Sequence, residues 1–245
     1  MQRYKIKISY DGTDYSGWQV QPDRVTIQQV IENAIKKITG QVVKIHGSGR
    51  TDNGVHAVAQ IAHFDIETQM LPKALLRAVN CIINPDIRII SISKVSQAFH
   101  ARKSAKSKEY RYFIWNGDQV TPFLYRYRTL IRQPLDVAAM KKAARQLIGR
   151  HDFSAFTANP NREVESTVRS LGMLKVTRRG QEITISASSN GFLYKMVRSL
   201  AGFLIRVGEG AVKPETATEV LNSQIRTARV PTAPAKGLFL WHVKY

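Results

Sequence analysis

The residue types best suited to chemistry lie in one stretch, Gly47 to His56, which holds an arginine, a carboxylate and an imidazole among three glycines. Asp52, Asn53 and Gly54 make a sequence typical of turns, because Asn and Gly tolerate positive φ. We therefore expect Asp52 on a loop between strands, where a substrate can approach. A carboxylate there can act as a nucleophile, a base or a metal ligand. The plainer alternative is a hairpin turn with a solvated Asp–Arg pair.

Arg50, two residues before Asp52, is the nearest candidate partner for that carboxylate. If its guanidinium points at Asp52, the pKa of Asp52 falls and the carboxylate stays ionised. Apolar residues on both sides, at 42–45 and 58–64, predict a strand before and a strand after the loop.

Charge narrows the class of partner. The 245 residues include 37 Lys and Arg against 18 Asp and Glu, a formal net charge of +19. Such a surplus predicts attraction to a polyanion, most often nucleic acid. The alternative is a basic surface that serves solubility alone. The surplus is uneven, since residues 101–245 carry 25 of the basic and 10 of the acidic side chains.

The single cysteine, Cys81, excludes an internal disulfide and a cysteine-based zinc site. Its apolar neighbours suggest a buried position. No apolar run approaches the length of a membrane span, and the first residues do not resemble a signal peptide. A cytoplasmic protein is the default expectation.

Hydrophobic periodicity predicts a similar order of elements in the two halves of the chain. The first half contains strands at 3–10 and 87–95, the two strands around Asp52, and helices at 26–38 and 72–79. The second half contains strands at 110–115, 168–176, 182–188 and 239–245, and helices at 136–148 and 193–207. This order predicts an α+β fold of two similar halves, 1–105 and 106–245. Each half is expected to be an antiparallel sheet with helices on one face, and a central basic cleft between them would receive a large substrate.

A second unusual stretch runs from Arg102 to Arg132, with eight basic residues, two acidic ones and seven aromatic rings. Cations interleaved with rings suit single-stranded or splayed nucleic acid, which needs phosphate partners and stacking surfaces. A solvated strand edge with core aromatics explains some of the rings but not the charge.

Gly49 to Ala57 resembles the signature of the TruA family of tRNA pseudouridine synthases, G-R-T-D-x-G-V-H-A. Four further segments, spread along essentially the whole chain, resemble the family's motifs in the family's order. They are Phe99–Arg102 with Lys108–Tyr112 (F-H-A-R and K-x-Y-R-Y), His151–Phe156 (H-D-F-x-x-F), Phe192–Arg198 (F-L-x-x-M-V-R) and Ala233–Leu238 (A-P-x-x-G-L).

The resemblance implies conversion of uridine to pseudouridine at positions 38, 39 and 40 in the anticodon arm of tRNA. It implies a homodimer in which one tRNA touches both subunits, and no metal or organic cofactor. It also assigns roles to four residues. Asp52 would be the nucleophile, Arg198 would pair with it, Tyr110 would stack on the target uracil, and Arg50 would be a cation near the flipped nucleotide. Without the resemblance, Arg198 reads as a helix-surface arginine and Tyr110 as a core aromatic. The roles of His56 and Asp152 stay open.

Two rival functions fit part of the pattern. A metal-dependent RNA nuclease would use Asp52, His56, His63 and Asp65 as ligands, although no typical metal-binding spacing is present. A non-catalytic RNA-binding module would account for the charge alone.

Overall fold

The computed structural model describes residues 1–158 and 165–245, which divide into two compact units. The first unit contains Met1–Lys106 and Phe239–Tyr245, and the second is Ser107–Leu238. The sequence assigns 106–245 to one half, whereas the final strand clusters with the first unit. The reason is a parallel pairing with a strand of that unit, which places Phe239 opposite His56.

The first unit is built on a sheet whose central strand, β1 (Gln2–Tyr10), is antiparallel to β3 (His56–Ile66) on one side and to β4 (Ile87–Val95) on the other. The predicted alternation of β1 is confirmed, since its inward residues Tyr4, Ile6, Ile8 and Tyr10 are all buried. The elements of this unit are β1 (Gln2–Tyr10), α1 (Ile27–Thr39), β2 (His46–Gly47), β3 (His56–Ile66), α2 (Pro72–Ile82), β4 (Ile87–Val95) and β10 (Leu238–Lys244).

Helix α1 follows directly from its sequence. The Thr26 side chain accepts a hydrogen bond from the Gln29 N–H at the N-terminus, and Gly40 takes a left-handed conformation at the C-terminus. Its apolar stripe is buried, as predicted. Helix α2 buries Leu75 and Val79, so Cys81, two residues further on, faces away and is exposed. The expectation of a buried cysteine was therefore wrong.

The strand predicted at 42–45 is absent, and only His46–Gly47 pairs with β3. Val43 and Ile45 are buried while Val42 and Lys44 are exposed, which produces the alternation seen in the sequence. The Ile45 N–H, however, donates to the side-chain carboxylate of Glu32 at 2.8 Å rather than to a neighbouring strand. The segment is extended but not part of the sheet.

The second unit is also built on a mainly antiparallel sheet, with the strands in the order β5 (Ser107–Asn116), β9 (Glu182–Ser189), β8 (Val168–Arg179) and β7 (Gly149–Asp152), and with β6 (Thr129–Ile131) parallel to β5. Helix α3 contacts β8, and α4 contacts both α3 and β5. The elements are β5 (Ser107–Asn116), β6 (Thr129–Ile131), α3 (Val137–Gln146), β7 (Gly149–Asp152), β8 (Val168–Arg179), β9 (Glu182–Ser189), α4 (Met196–Gly208) and α5 (Thr216–Ser223).

Both units combine a mainly antiparallel sheet with helices, which confirms the α+β fold class. Among the described residues, no helix has the length and apolar character that crossing a bilayer would require.

Candidate active site

Asp52 opens a tight turn between β2 and β3. The Val55 N–H donates to the Asp52 carbonyl at 3.1 Å, and Gly54 has φ +74°. A positive φ at the third residue of such a turn favours glycine, so Gly54 explains why the chain can reverse here. Asp52 itself is half-buried.

The backbone on either side of Asp52 is held by the last residue of β1 and by the segment that follows it. The Thr51 and Tyr10 hydroxyls share a buried hydrogen bond of 2.8 Å, and the Trp18 N–H donates to the Thr51 carbonyl at 3.1 Å. Gly17 lies so close that a Cβ there would be 2.5 Å from the Thr51 carbonyl oxygen. A Cβ on Gly12 would be 2.0 Å from the Val55 carbonyl oxygen. Both ends of the turn are therefore fixed by close packing.

A buried polar pair fixes the chain before Asp52. The Ser48 hydroxyl donates to Gln60 Oε1 at 2.7 Å, and Gln60 Nε2 donates to the Gly49 carbonyl at 2.8 Å. Both side chains are fully buried. Because a buried amide that lost these partners would be costly, the pair specifies one position for the chain that leads to Arg50.

His56 braces the same loop from β3. It is fully buried, and its ring stacks on Phe239 with centroids 4.5 Å apart. Its Nδ1 lies 3.0 Å from the Gly12 nitrogen and 3.0 Å from Asp11 Oδ1. A backbone N–H can only donate, so Nδ1 accepts from Gly12 and the ring proton lies on Nε2. Asp11 Oδ1 accepts instead from the backbone and hydroxyl of Thr13, at 2.9 and 2.6 Å.

Arg50 is exposed, and it makes no hydrogen bond or ion pair with any residue that the structure describes. The ion pair between Arg50 and Asp52 that the sequence suggested is therefore not formed in this structure.

The rings of the segment after β1 are structural. Trp18 is buried against Gly47 and Tyr10, and the Tyr15 hydroxyl donates to Asp86 Oδ1 at 2.8 Å. This segment therefore supports the Asp52 turn, and neither ring lines an open groove.

In the second unit, Tyr110 lies on β5. Its ring is 8% exposed and meets Phe192 edge to face, with centroids 5.2 Å apart. The neighbouring Tyr112 hydroxyl shares a hydrogen bond of 2.6 Å with Thr129 and donates to the Pro234 carbonyl at 2.9 Å. Burial raises the pKa of Tyr112, so this phenol stays protonated.

Arg198 lies in the first turn of α4 and is tied to the loop before β10. Its Nε donates to the Ala233 carbonyl at 2.8 Å, and the Ala233 N–H donates to the Arg198 carbonyl at 3.0 Å. The second unit thus joins three segments that are far apart in sequence, those containing Tyr110, Phe192–Arg198 and Ala233–Pro234.

The four predicted site residues are divided between the units, with Asp52 and Arg50 in the first and Tyr110 and Arg198 in the second. Sequence reasoning gave no role to Thr51, Gln60 or Phe192. For Phe192, the available signal was its place in the segment Phe192–Arg198, which resembles a motif of the family. Thr51 and Gln60 act through tertiary hydrogen bonds, for which the sequence carries no local signal.

Asp152, whose role was open, ends β7 and caps the turn that follows. It accepts from the Ser154 N–H and the Thr167 hydroxyl, both at 2.8 Å. Burial alone would raise the pKa of Asp152, but these hydrogen bonds outweigh it and hold the pKa below its usual value.

The residues that suggested a metal site have other partners. His63 Nδ1 accepts a hydrogen bond from the Ala101 N–H at 3.2 Å. The two carboxylate oxygens of Asp65 accept hydrogen bonds from Arg3 Nε and Nη2, at 2.8 and 2.7 Å. Within 1–158 and 165–245, no group of three or more His, Cys, Asp or Glu side chains is arranged to hold a metal ion. The geometry gives no support to the metal-dependent nuclease.

Comparison with known proteins gives one consistent result. A family model described as tRNA pseudouridine synthase matches residues 6–102 and 143–245. A protein of Brevibacillus brevis and one of Thermoanaerobacter pseudethanolicus are each 42% identical over 245 residues, covering all of both chains. One from Halalkalibacterium halodurans is 42% identical over 239 residues, covering 97% of this chain and 90% of the relative. All three relatives carry the name tRNA pseudouridine synthase A.

Proposed function

The chain belongs to the tRNA pseudouridine synthase family, and we propose that it isomerises uridines 38, 39 and 40 of the anticodon arm with Asp52 as nucleophile. Pseudouridylation of tRNA, an isomerase reaction, follows from the family. The target positions and the residue roles are the proposal. The observation that carries the proposal is the placement of Asp52, a half-buried carboxylate on a turn whose backbone is fixed from two sides.

The reaction exchanges one glycosidic bond for another. The bond from uracil N1 to ribose C1′ breaks, the base turns, and a bond from C5 to C1′ forms while the C5 proton leaves and N1 gains a proton. No electrons or water are consumed. A carboxylate can start this sequence by attacking C1′, by adding to C6, or by promoting a glycal, and Asp52 is regenerated in each case.

A fixed nucleophile suits this chemistry, because orientation of the reacting groups lowers the barrier before any bond changes. The hydrogen bonds of Thr51 and Gly49 and the close approach of Gly17 leave the Asp52 backbone little freedom. The Asp52 side chain is only half-buried, and a substrate base can therefore approach it.

The second unit would supply the groups that hold the base. We propose that the Tyr110 ring stacks on the target uracil and that its hydroxyl exchanges a proton late in the reaction. The contact with Phe192 supports this role, since it fixes the plane of the Tyr110 ring. Arg198, held by Ala233, would pair with the Asp52 carboxylate and fix the rotamer of its side chain. Arg50 would bind a phosphate beside the extruded nucleotide.

The target uridine must leave the base stack before it can react, and this step costs free energy. Extruding a base costs a few kcal/mol, and contacts between a +19 protein and the RNA backbone can offset that cost. We further propose a cytoplasmic homodimer in which each tRNA touches both subunits, and a reaction that requires no metal or organic cofactor.

Tritium release tests the proposal. Unmodified tRNA labelled with tritium at uridine C5 is mixed with the protein in excess chelator, and label in water is counted. We expect release by the wild type and none by Asp52→Asn. Asp136→Asn is the matched control, because Asn caps helix α3 as well as Asp does and the position is exposed.

Substrates that carry a single uridine at 38, 39 or 40 locate the reaction. Release by Asp52→Asn would exclude this residue as the nucleophile. Release only from uridines outside the anticodon arm would overturn the proposed target. Sedimentation of the protein alone and with tRNA tests the dimer, and a monomeric complex would contradict it.

A further inference from the structure

The aromatic residues between Arg102 and Arg132 do not share one role. Of the seven rings, Tyr110, Tyr112 and Phe113 are buried, and Trp115 and Tyr127 are half-buried. Phe123 and Tyr125 are 88% and 56% exposed. Unlike the buried Tyr110, these two side chains expose more than half of their surface, and exposed apolar surface grouped in one loop is a candidate interaction site.

The loop that carries the two rings is ordered by its own backbone. The Leu124 and Tyr125 N–H groups both donate to the Thr121 carbonyl at 3.0 Å, and the Tyr127 N–H donates to the Leu124 carbonyl at 2.9 Å. The two rings therefore lie on a turn that is already formed. Binding of a partner would not carry the entropic cost of ordering this loop.

Two cations lie beside Tyr125, one in contact with its ring and one next to it in the chain. Lys236 Nζ lies 4.7 Å from the centre of the Tyr125 ring, and Arg126 is exposed between Tyr125 and Tyr127 in the chain. Exposed rings beside cations are the combination that binds unpaired nucleotides, because bases stack on the rings and phosphates pair with the charges.

The patch is physically connected to the second unit's part of the candidate site. Lys236 belongs to the loop in which Ala233 binds Arg198 and Pro234 binds Tyr112. The same loop packs on the far end of the aromatic segment, because a Cβ at Gly237 would lie 3.0 Å from Thr129 Oγ1. An RNA held at the patch would therefore lie one short loop away from Arg198.

We propose that Phe123 and Tyr125, with Lys236 and Arg126, form a stacking platform for an unpaired tRNA nucleotide other than the target. The inference rests on the tRNA substrate of the proposed function and adds a second point of contact to it. A second copy of this chain is a poorer occupant. A twofold contact whose axis passes through this patch would bring Arg126 and Lys236 of one copy close to the same cations of the other.

The platform is tested by changing the ring while keeping its apolar character. Phe123→Leu retains bulk but cannot stack, and Phe123→Trp can. We expect Phe123→Leu to raise the tRNA Kd and the KM for tritium release about tenfold with kcat retained, and Phe123→Trp to restore both. Ile225→Ala is the control, since Ile225 is 67% exposed in the same unit and lies outside the platform.

Fluorescence gives a readout that does not depend on catalysis. Emission of Phe123→Trp, after subtraction of the wild-type signal from the three native tryptophans, should be quenched by tRNA and by an unpaired oligonucleotide of the anticodon loop. Normal Kd and KM in Phe123→Leu would overturn the platform even if the wild type releases tritium. Loss of dimer in Phe123→Ala, with tRNA affinity lost only as a result, would identify a contact between copies and also overturn it. Failure of the proposed function would instead appear as no tritium release by the wild type, whatever the Kd values.

Discussion

Thr51 precedes the proposed nucleophile, and its hydroxyl is bound to Tyr10 in the core of the first unit. Thr51→Val keeps the shape of the side chain and removes this hydrogen bond. We expect the free energy of unfolding to fall by about 1 kcal/mol. We also expect kcat to fall, because the Asp52 turn loses one of its anchors. Urea unfolding and tritium release measure the two effects.

The double variant Tyr10→Phe/Thr51→Val separates stability from orientation. Removing both partners should restore part of the stability lost in Thr51→Val, since no hydroxyl is then left with an apolar neighbour. The activity should stay low. Equal stability of the single and double variants would show that leaving the Tyr10 hydroxyl without its Thr51 partner costs little.

His63 makes stability depend on pH. Its side chain is 2% exposed in the structure and faces His46, His100, Arg3 and Asp65. Burial lowers the pKa of His63 from its usual 6.5 to about 4, and the charges of His100 and Arg3 act in the same direction. Below pH 6.5 the unfolded chain takes up a proton there that the folded chain excludes until about pH 4. The contribution of neutral His63 to the free energy of unfolding is present above pH 6.5. It falls by about 2 kcal/mol between pH 6.5 and pH 5.

Urea unfolding at pH 7 and pH 5 measures this loss. His63→Asn should lower stability at both pH values but reduce the difference between them. His242→Gln, at an exposed position of β10, should leave the difference unchanged. An unchanged difference in His63→Asn would assign the pH dependence to other groups.

At the scale of elements, the close approach of the segment after β1 to the Asp52 turn depends on Gly17. Gly17 and Gly40 have similar φ values, +84° and +73°, but only Gly17 has backbone atoms in the space of a Cβ. Gly40→Ala should therefore cost about 1 kcal/mol through φ alone. Gly17→Ala should add displacement of Thr51 and lower kcat more than about tenfold.

The pair is compared by thermal unfolding and by tritium release. Full activity in Gly17→Ala would mean that the turn moves without consequence for the reaction. Equal loss of activity in Gly40→Ala would show that general destabilisation, rather than the position of Asp52, is responsible.

The elements that could be predicted from the sequence are those whose formation depends on residues within or next to the element itself. Helix α1 has an apolar stripe, a capping threonine and a terminal glycine, and all three are used as expected. The extended segment at 42–45 has the same alternation as a strand, but Glu32, a distant residue, takes the hydrogen bond that would have joined Ile45 to the sheet. Such a competitor lies outside any local window.

The same distinction applies to the candidate site. The residue types at Asp52 and Gly54 are sufficient to predict a turn. The contacts that fix the turn, from Tyr10, Trp18 and Gln60, join parts of the chain that only the fold brings together. Periodicity alone did not distinguish the exposed rings after Arg102, and burial in the structure divides the seven into three core residues, two half-buried ones and two exposed ones.

At the scale of the whole molecule, the net charge of +19 predicts how tRNA affinity responds to salt. Each phosphate neutralised by the protein releases counterions, so log Kd should rise linearly with log salt. Arg50→Gln should reduce the slope by about 1 if Arg50 binds a phosphate. Lys142→Gln is the control, because Lys142 is already paired with Glu215. Filter binding between 50 and 200 mM salt measures both slopes, and an unchanged slope in Arg50→Gln would remove Arg50 from the interface.

The parallel pairing of β10 with β3 has a consequence for biosynthesis. Phe239, whose ring stacks on His56, is separated from Lys106 by the 132 residues of the second unit, Ser107–Leu238. At roughly 5 to 20 residues per second, a ribosome needs about 7 to 26 seconds to make that stretch. During this interval the Asp52 turn exists in a nascent chain whose sheet still has an open edge. A polypeptide still in synthesis thus carries the proposed nucleophile before it carries the strand that pairs with β3 beside His56.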